Sequence, residues 1–144
     1  MSVCVKFVLM LDKIGSCPTT VREKVTNPEE IARQFDFPTL DNARGVDEWI
    51  RMHCSFVCSD DDGNCTVELD PYEISDLKEC CEQAIAGDLD AQDEMPDGML
   101  KLSNPSDLKF YKSYLSRTVE ICDTILELNK QSLNGHTLVC HIWR

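Results

Sequence analysis

The chain has 144 residues, 42% of them hydrophobic, enough to bury about two-thirds of its unfolded surface and to fold as one domain, 1–144. It carries 26 acidic against 14 basic side chains, a formal charge of -12. That balance argues against a general phosphate-backbone binder, which needs a basic face to gain from counterion release, and favours a partner with a basic surface, or simply a well-solvated chain.

Nine cysteines call for a redox argument. The start, Met1-Ser2-Val3-Cys4-Val5-Lys6, lacks the basic opening and small-residue cleavage site of a secretory signal. No apolar run approaches the ~20 residues of a membrane span. A cytoplasmic protein with reduced thiols is expected, and the odd count fits free cysteines better than a disulfide framework.

Val3 to Leu11 alternates Val3, Val5, Phe7, Leu9 and Leu11 against Cys4, Lys6, Val8 and Met10. Both faces are largely apolar, which predicts a strand paired centrally or covered on both sides. Gly15 to Thr20, with Cys17-Pro18, reads as a turn. Asn27-Pro28-Glu29-Glu30 has the acceptor, proline and acids of a helix start, and Pro38 should stop that helix soon after Phe35 and Phe37. A second helix is expected to begin near Asp41, with Val46, Trp49, Ile50 and His53 on one stripe.

Ser59 to Asn64 reads as a turn and Cys65 to Leu69 as a short strand. Asp70-Pro71 repeats the cap-and-proline grammar. Ile74, Leu77, Cys81, Ala84 and Ile85 then follow at helical spacing until Gly87. Asp88 to Gly98 reads as an acidic loop. Asn104-Pro105 opens the longest helix, whose stripe is Leu108, Tyr111, Leu115, Val119, Cys122, Ile125 and Leu126, and which ends near Asn134-Gly135. Tyr114 falls off that stripe beside Lys112 and is expected at the surface, a hint of a contact site. Thr137 to Trp143 reads as a strand suited to pair with the first one. These elements predict an α+β fold, a single compact domain of about four helices on a small antiparallel sheet that includes both terminal strands.

The charge is concentrated. Asp60 to Asp97 holds fourteen acids and one base, Lys78, a net -13 against +1 for the rest of the chain. Asp60, Asp61, Asp62, Glu68, Glu73, Asp76, Glu79, Asp88, Asp90, Asp93 and Glu94 are the candidate partner-binding residues. Rim charge of this density steers a basic partner and loses strength as salt rises.

Catalytic and metal chemistry is weakly signalled. An EF-hand loop with Gly63 at its sixth position would run from Cys58 to Leu69, and both ends lack the required carboxylate. His53, Cys54, Cys58 and Cys65 are weak zinc candidates without C-x-x-C spacing. The adjacent Cys80 and Cys81 should point to different sides of their helix. Only His53, His136 and His141 could serve a nucleophile, and no flanking pattern places one beside it. No cofactor is expected.

Asn42 to Ile50, Gly63-Asn64-Cys65-Thr66-Val67-Glu68-Leu69, Met95-Pro96-Asp97-Gly98, Tyr111 to Leu128 and the terminal Trp143 follow one another in a recognisable order. Over roughly residues 40–143 this pattern resembles a family of small uncharacterised proteins encoded by bacteriophages and prophages. Asp47 stands where that family has a histidine, and Met99-Leu100-Lys101-Leu102 replaces its Phe-rich glycine loop. The resemblance implies a phage origin and an accessory role against a host system.

The leading expectation is a non-catalytic phage-type protein that binds and inhibits a basic, defence-related host factor, its acids standing in for nucleic acid. A first alternative is a sponge for a small nucleotide signal, using Arg44, Arg51, Lys109, Lys112 and Arg117. A second is a metal-dependent enzyme. Direct nucleic-acid binding and membrane insertion are not expected.

Overall fold

The computed structural model describes residues 2–11, 34–54, 58–59, 64–131 and 136–143. Among them are six strands and four helices: β1 Cys4–Leu11, β2 Gln34–Asp36, β3 Leu40–Asp41, α1 Arg44–His53, β4 Cys58–Ser59, β5 Cys65–Leu69, α2 Pro71–Ile85, α3 Leu89–Glu94, α4 Pro105–Gln131 and β6 His136–Trp143. The strands form one antiparallel sheet in the order β2-β1-β6-β5-β4, with β3 also paired to β1.

The two terminal strands pair along their whole length, from Cys4 opposite Trp143 to Leu11 opposite His136. The β5 strand adds to β6, from Cys65 opposite Ile142 to Leu69 opposite Leu138. Val5, Phe7 and Leu9 of β1 share one pleat face. With Cys140 and Ile142 of β6, and Cys65, Val67 and Leu69 of β5, they are buried in a single core under the helices. Val8, on the opposite face of β1, is buried too, in keeping with its apolar neighbours in sequence.

Helix α2 starts as its sequence dictates. The Asp70 carboxylate accepts from Glu73 N at 2.7 Å, and the Glu73 carboxylate accepts from Asp70 N at 3.1 Å. This reciprocal cap satisfies two donors that the first turn would otherwise leave open. Gly87, just beyond the end of α2, has φ +96, a conformation that costs a residue with a Cβ. Asn104 accepts from Ser106 N and Asp107 N at the head of α4. The two long helices pack on each other, with Cys81 and Leu77 facing Cys122 and Leu115 in the shared core.

Four expectations need correction. Gln34–Asp36 is a strand, not the tail of a helix: Phe37 precedes Pro38, a position biased to extended backbone, and its N–H bonds Phe7 O at 3.0 Å. The helix start at Asn27-Pro28, the turn at Gly15–Thr20 and the stop at Asn134-Gly135 lie outside the described residues. Helix α1 begins at Arg44 rather than Asp41, because Asp41 is in β3 and Asn42 makes a left-handed turn (φ 57) that bonds Val3 N through its side chain. Residues 89–94 of the expected acidic loop form α3, capped by Asp88, whose carboxylate accepts from Ala91 N at 3.0 Å.

The fourth correction is Tyr114. It is only 1% exposed, and its hydroxyl accepts from Gly45 N at 3.1 Å while donating to Asp97 Oδ2 at 2.9 Å. Tyr111 beside it donates to Met95 O at 2.9 Å, and the two rings meet edge to face at 5.5 Å. Burial, reinforced by Asp97, pushes the Tyr114 hydroxyl well above the usual phenol range, so it stays protonated, and a donor, at neutral pH. Gly45 is required here because a Cβ would sit 2.8 Å from both Met95 O and the Tyr114 oxygen.

Replacing Tyr114 by Phe strands the Gly45 N–H and one Asp97 bond, with an expected loss of about 1–3 kcal/mol in urea unfolding. Gly45→Ala should cost at least as much, since backbone as well as a side chain must shift. Unchanged midpoints for both variants would contradict this role.

Candidate functional site

The acidic stretch folds into the end of the sheet and helices α2 and α3. Its loop acids Asp60, Asp61 and Asp62 lie outside the described residues. Of the others, Glu68, Asp76, Glu79, Asp88, Asp90, Asp93 and Glu94 are exposed and Glu73 is half-buried. Several also serve the fold: Asp70, Glu73 and Asp88 cap helices, and Asp97 holds Tyr114.

A groove of about 370 Å³ opens where α1, α2 and α3 meet. Trp49 and His53 line it from α1, Glu73, Asp76, Glu79, Cys80 and Gln83 from α2, and Glu94 from α3. Its volume is at the small end of ligand-binding clefts. Trp49 lies buried beneath His53, the two rings stacked at 4.7 Å and 29°. Four carboxylate residues therefore share a cleft with an imidazole laid on an indole.

The one base of the acidic stretch does not neutralise this groove. Lys78 turns away to α4, where its ammonium is 2.5 Å from Asp123, with Glu82 at 3.9 Å. Asp123 accordingly raises the Lys78 pKa, keeping it charged. On α2, Tyr72, Asp76, Glu79 and Gln83 recur at i, i+4, i+7 and i+11, a single outward stripe. Tyr72 is 83% exposed at one end of that stripe, and Met52, in the turn between Trp49 and His53, is also exposed.

The thiols around the groove are quiet. Cys80 is buried, its Sγ 3.6 Å from both Ala91 O and Glu94 Oε2. Burial, then Glu94, pushes its pKa up to about 12. Cys54 is pushed up to about 12 by burial and then by Glu73. Cys81 and Cys80 do face different sides of α2, Cys81 toward Cys122 and Cys80 toward α3. Among the described residues, no three His, Cys, Asp or Glu side chains converge to hold a metal ion; His53, Cys54 and Cys65 do not form a ligand set, and the Cys58 side chain lies outside the description.

The five candidate bases are not gathered into one pocket by the groove, which contains none of them. Arg51 Nε is 2.6 Å from Asp47, a buried carboxylate one turn back on α1. Arg117 donates to Ser113 at 3.1 Å. Lys112 and Arg117, five residues apart on α4, are separated by about 140° around the helix. Arg44 is half-buried at the start of α1 and Lys109 is exposed in the second turn of α4.

Sequence reading weighed Trp49 for an aromatic pocket but favoured core packing, and it did not single out Cys80, Gln83 or Tyr72 as members of this groove. Trp49 has a core residue's spacing, and its role at the groove floor depends on where α2 packs. The stripe of Tyr72, Asp76, Glu79 and Gln83 was the available signal.

Comparison with protein-family models, with curated proteins and with solved structures finds no match. No described helix is long and apolar enough to cross a membrane.

The raised thiol pKa values set an expectation. A brief alkylation of the folded protein near neutral pH should spare Cys54, Cys65, Cys80, Cys81, Cys122 and Cys140, and label half-buried Cys4 ahead of them. Unfolding should make these seven described thiols uniformly reactive, as read by mass spectrometry. Rapid labelling of Cys80 or Cys54 in the folded state would refute the assignment.

Proposed function

We propose that this protein is a non-catalytic binding protein of phage type that occupies a basic surface of a host factor, with α2 and α3 as its contact face. The observation that carries this reading is the acidic groove and the stripe beside it: Glu73, Asp76, Glu79 and Glu94 converge there while Lys78 is paired elsewhere. Successive acids three residues apart on α2 rise about 4.5 Å per step, comparable in scale to the ~3.4 Å rise per phosphate of a DNA strand. A row of carboxylates at that spacing suits a surface that stands in for phosphates and meets a basic partner, which is what a nucleic-acid mimic needs.

Two further points support a binding role. Beyond the acids that cap helices or hold Tyr114, the face carries exposed Asp76, Glu79 and Glu94, like charges that oppose folding by self-repulsion. The described thiols near the groove are protonated at neutral pH and so make poor nucleophiles. The resemblance to phage-encoded proteins supports a host target, reached in the host cytoplasm.

Capture from bacterial lysate at low and at high salt provides the test. The expected result is a basic partner held at low salt, released at high salt, and lost by the D76K/E79K/D88K triple variant. A partner retained at high salt and by the triple variant would sink the reading.

A further inference from the structure

We propose that the groove between α1, α2 and α3 is the anchor point of the contact face, and that its occupant is an arginine side chain on a partner segment that also carries an apolar residue. This rests on the acidic-face reading and deepens it, from a charged surface to a defined pocket with a preferred side chain.

Shape, charge and aromatic surface argue together. The groove is concave and holds four carboxylates with no lysine or arginine among its lining residues. An exposed acidic helix face alone would attract any cation. This one has a flat ring at its side: one face of His53 stacks on Trp49, and because Trp49 is buried, the other face is the one left to meet an incoming group. A planar guanidinium can stack on that ring and direct its fork of donors to Glu73, Asp76, Glu79 or Glu94, whereas a lysine ammonium offers a point charge and no plane.

The rim supplies the second half of the recognition. Tyr72 is 83% exposed on the same stripe as Asp76 and Glu79, and Met52 is exposed on the turn that carries His53. Tyrosine beside a charged cleft is a frequent interface anchor, and methionine adapts to irregular apolar partners. Tyr72 precedes Asp76 by one turn on α2, and Met52 adjoins His53 on α1, so both flank groove-lining positions in sequence. An arginine in the groove with a neighbouring apolar residue on Tyr72 and Met52 uses both.

The test is a titration of the full chain with a synthetic peptide bearing arginine and an adjacent leucine, followed by calorimetry, beside a lysine-for-arginine peptide. Three variants are compared: D76K/E79K in the groove, D90K/D93K on the outer side of α3, and Y72S on the rim. All substitute exposed residues, and thermal melts confirm that each folds. The expected result is about a tenfold or greater loss of affinity for D76K/E79K, several-fold for Y72S, under about threefold for D90K/D93K, and a several-fold preference for arginine over lysine. Equal losses from the two charge-reversal pairs, with arginine and lysine peptides binding alike, would overturn the groove while leaving the acidic face intact. Failure of the arginine peptide to bind also overturns the groove, and the lysate partner then decides the broader reading alone. Peptide binding unmoved by either reversal and by salt would remove both.

Discussion

The hydroxyl of Tyr114 joins three parts of the molecule that are far apart in sequence. From the middle of α4 it accepts the first-turn N–H of α1 and donates to the loop that follows α3. Tyr111, one residue short of a turn away, ties the same loop through Met95 O. These bonds are made in the core, where an unmet donor costs far more than an exposed one. They tie α1 to the loop that follows α3, and both helices contribute lining to the groove alongside α2. Gly45 is the steric condition for the approach: no side chain fits between the two segments.

Acidic residues divide into two populations on this frame. Asp70, Glu73 and Asp88 meet helix N-termini, where carboxylates are favoured by the orphan N–H groups and the dipole, and Asp97 is a partner of Tyr114. Asp47, also buried, holds Arg51. Much of the acidic composition is thus local architecture. Asp76, Glu79, Asp90, Asp93 and Glu94 are among the exposed remainder, and of these Asp76, Glu79 and Glu94 line the groove. Glu73 belongs to both groups, capping α2 from one side and lining the cleft from the other.

The cysteines follow the same division between composition and role. Six of the seven described ones are buried, and they pack as small apolar groups between sheet and helices. Burial raises the pKa values of Cys54, Cys80, Cys81, Cys122 and Cys140, and these thiols fill core volume. Cys80 adds weak bonds that join α2 to α3.

Local chemistry was enough to reveal much of the fold from sequence. Asp70-Pro71 with Glu73, Gly87, and Asn104-Pro105 mark helix ends because caps and positive φ depend on nearest neighbours, and the structure has those ends. The alternation of β1 and β6 likewise predicts buried strands, and the two pair with each other. Tyr114 shows where such reading stops. Its spacing puts it off the core stripe, yet Gly45, 69 residues earlier, and Asp97 create a polar partner for it inside the core. Residues 34–36 became a strand because β1 offered an edge, and 89–94 became a helix because Ala91 could bury against α2. The sequence by itself determined that the middle of the chain is an acid-rich, helix-forming block. Only the tertiary structure decided that α1 would lay Trp49 and His53 against it, since a cleft exists only where separately coded surfaces are brought together by long-range packing.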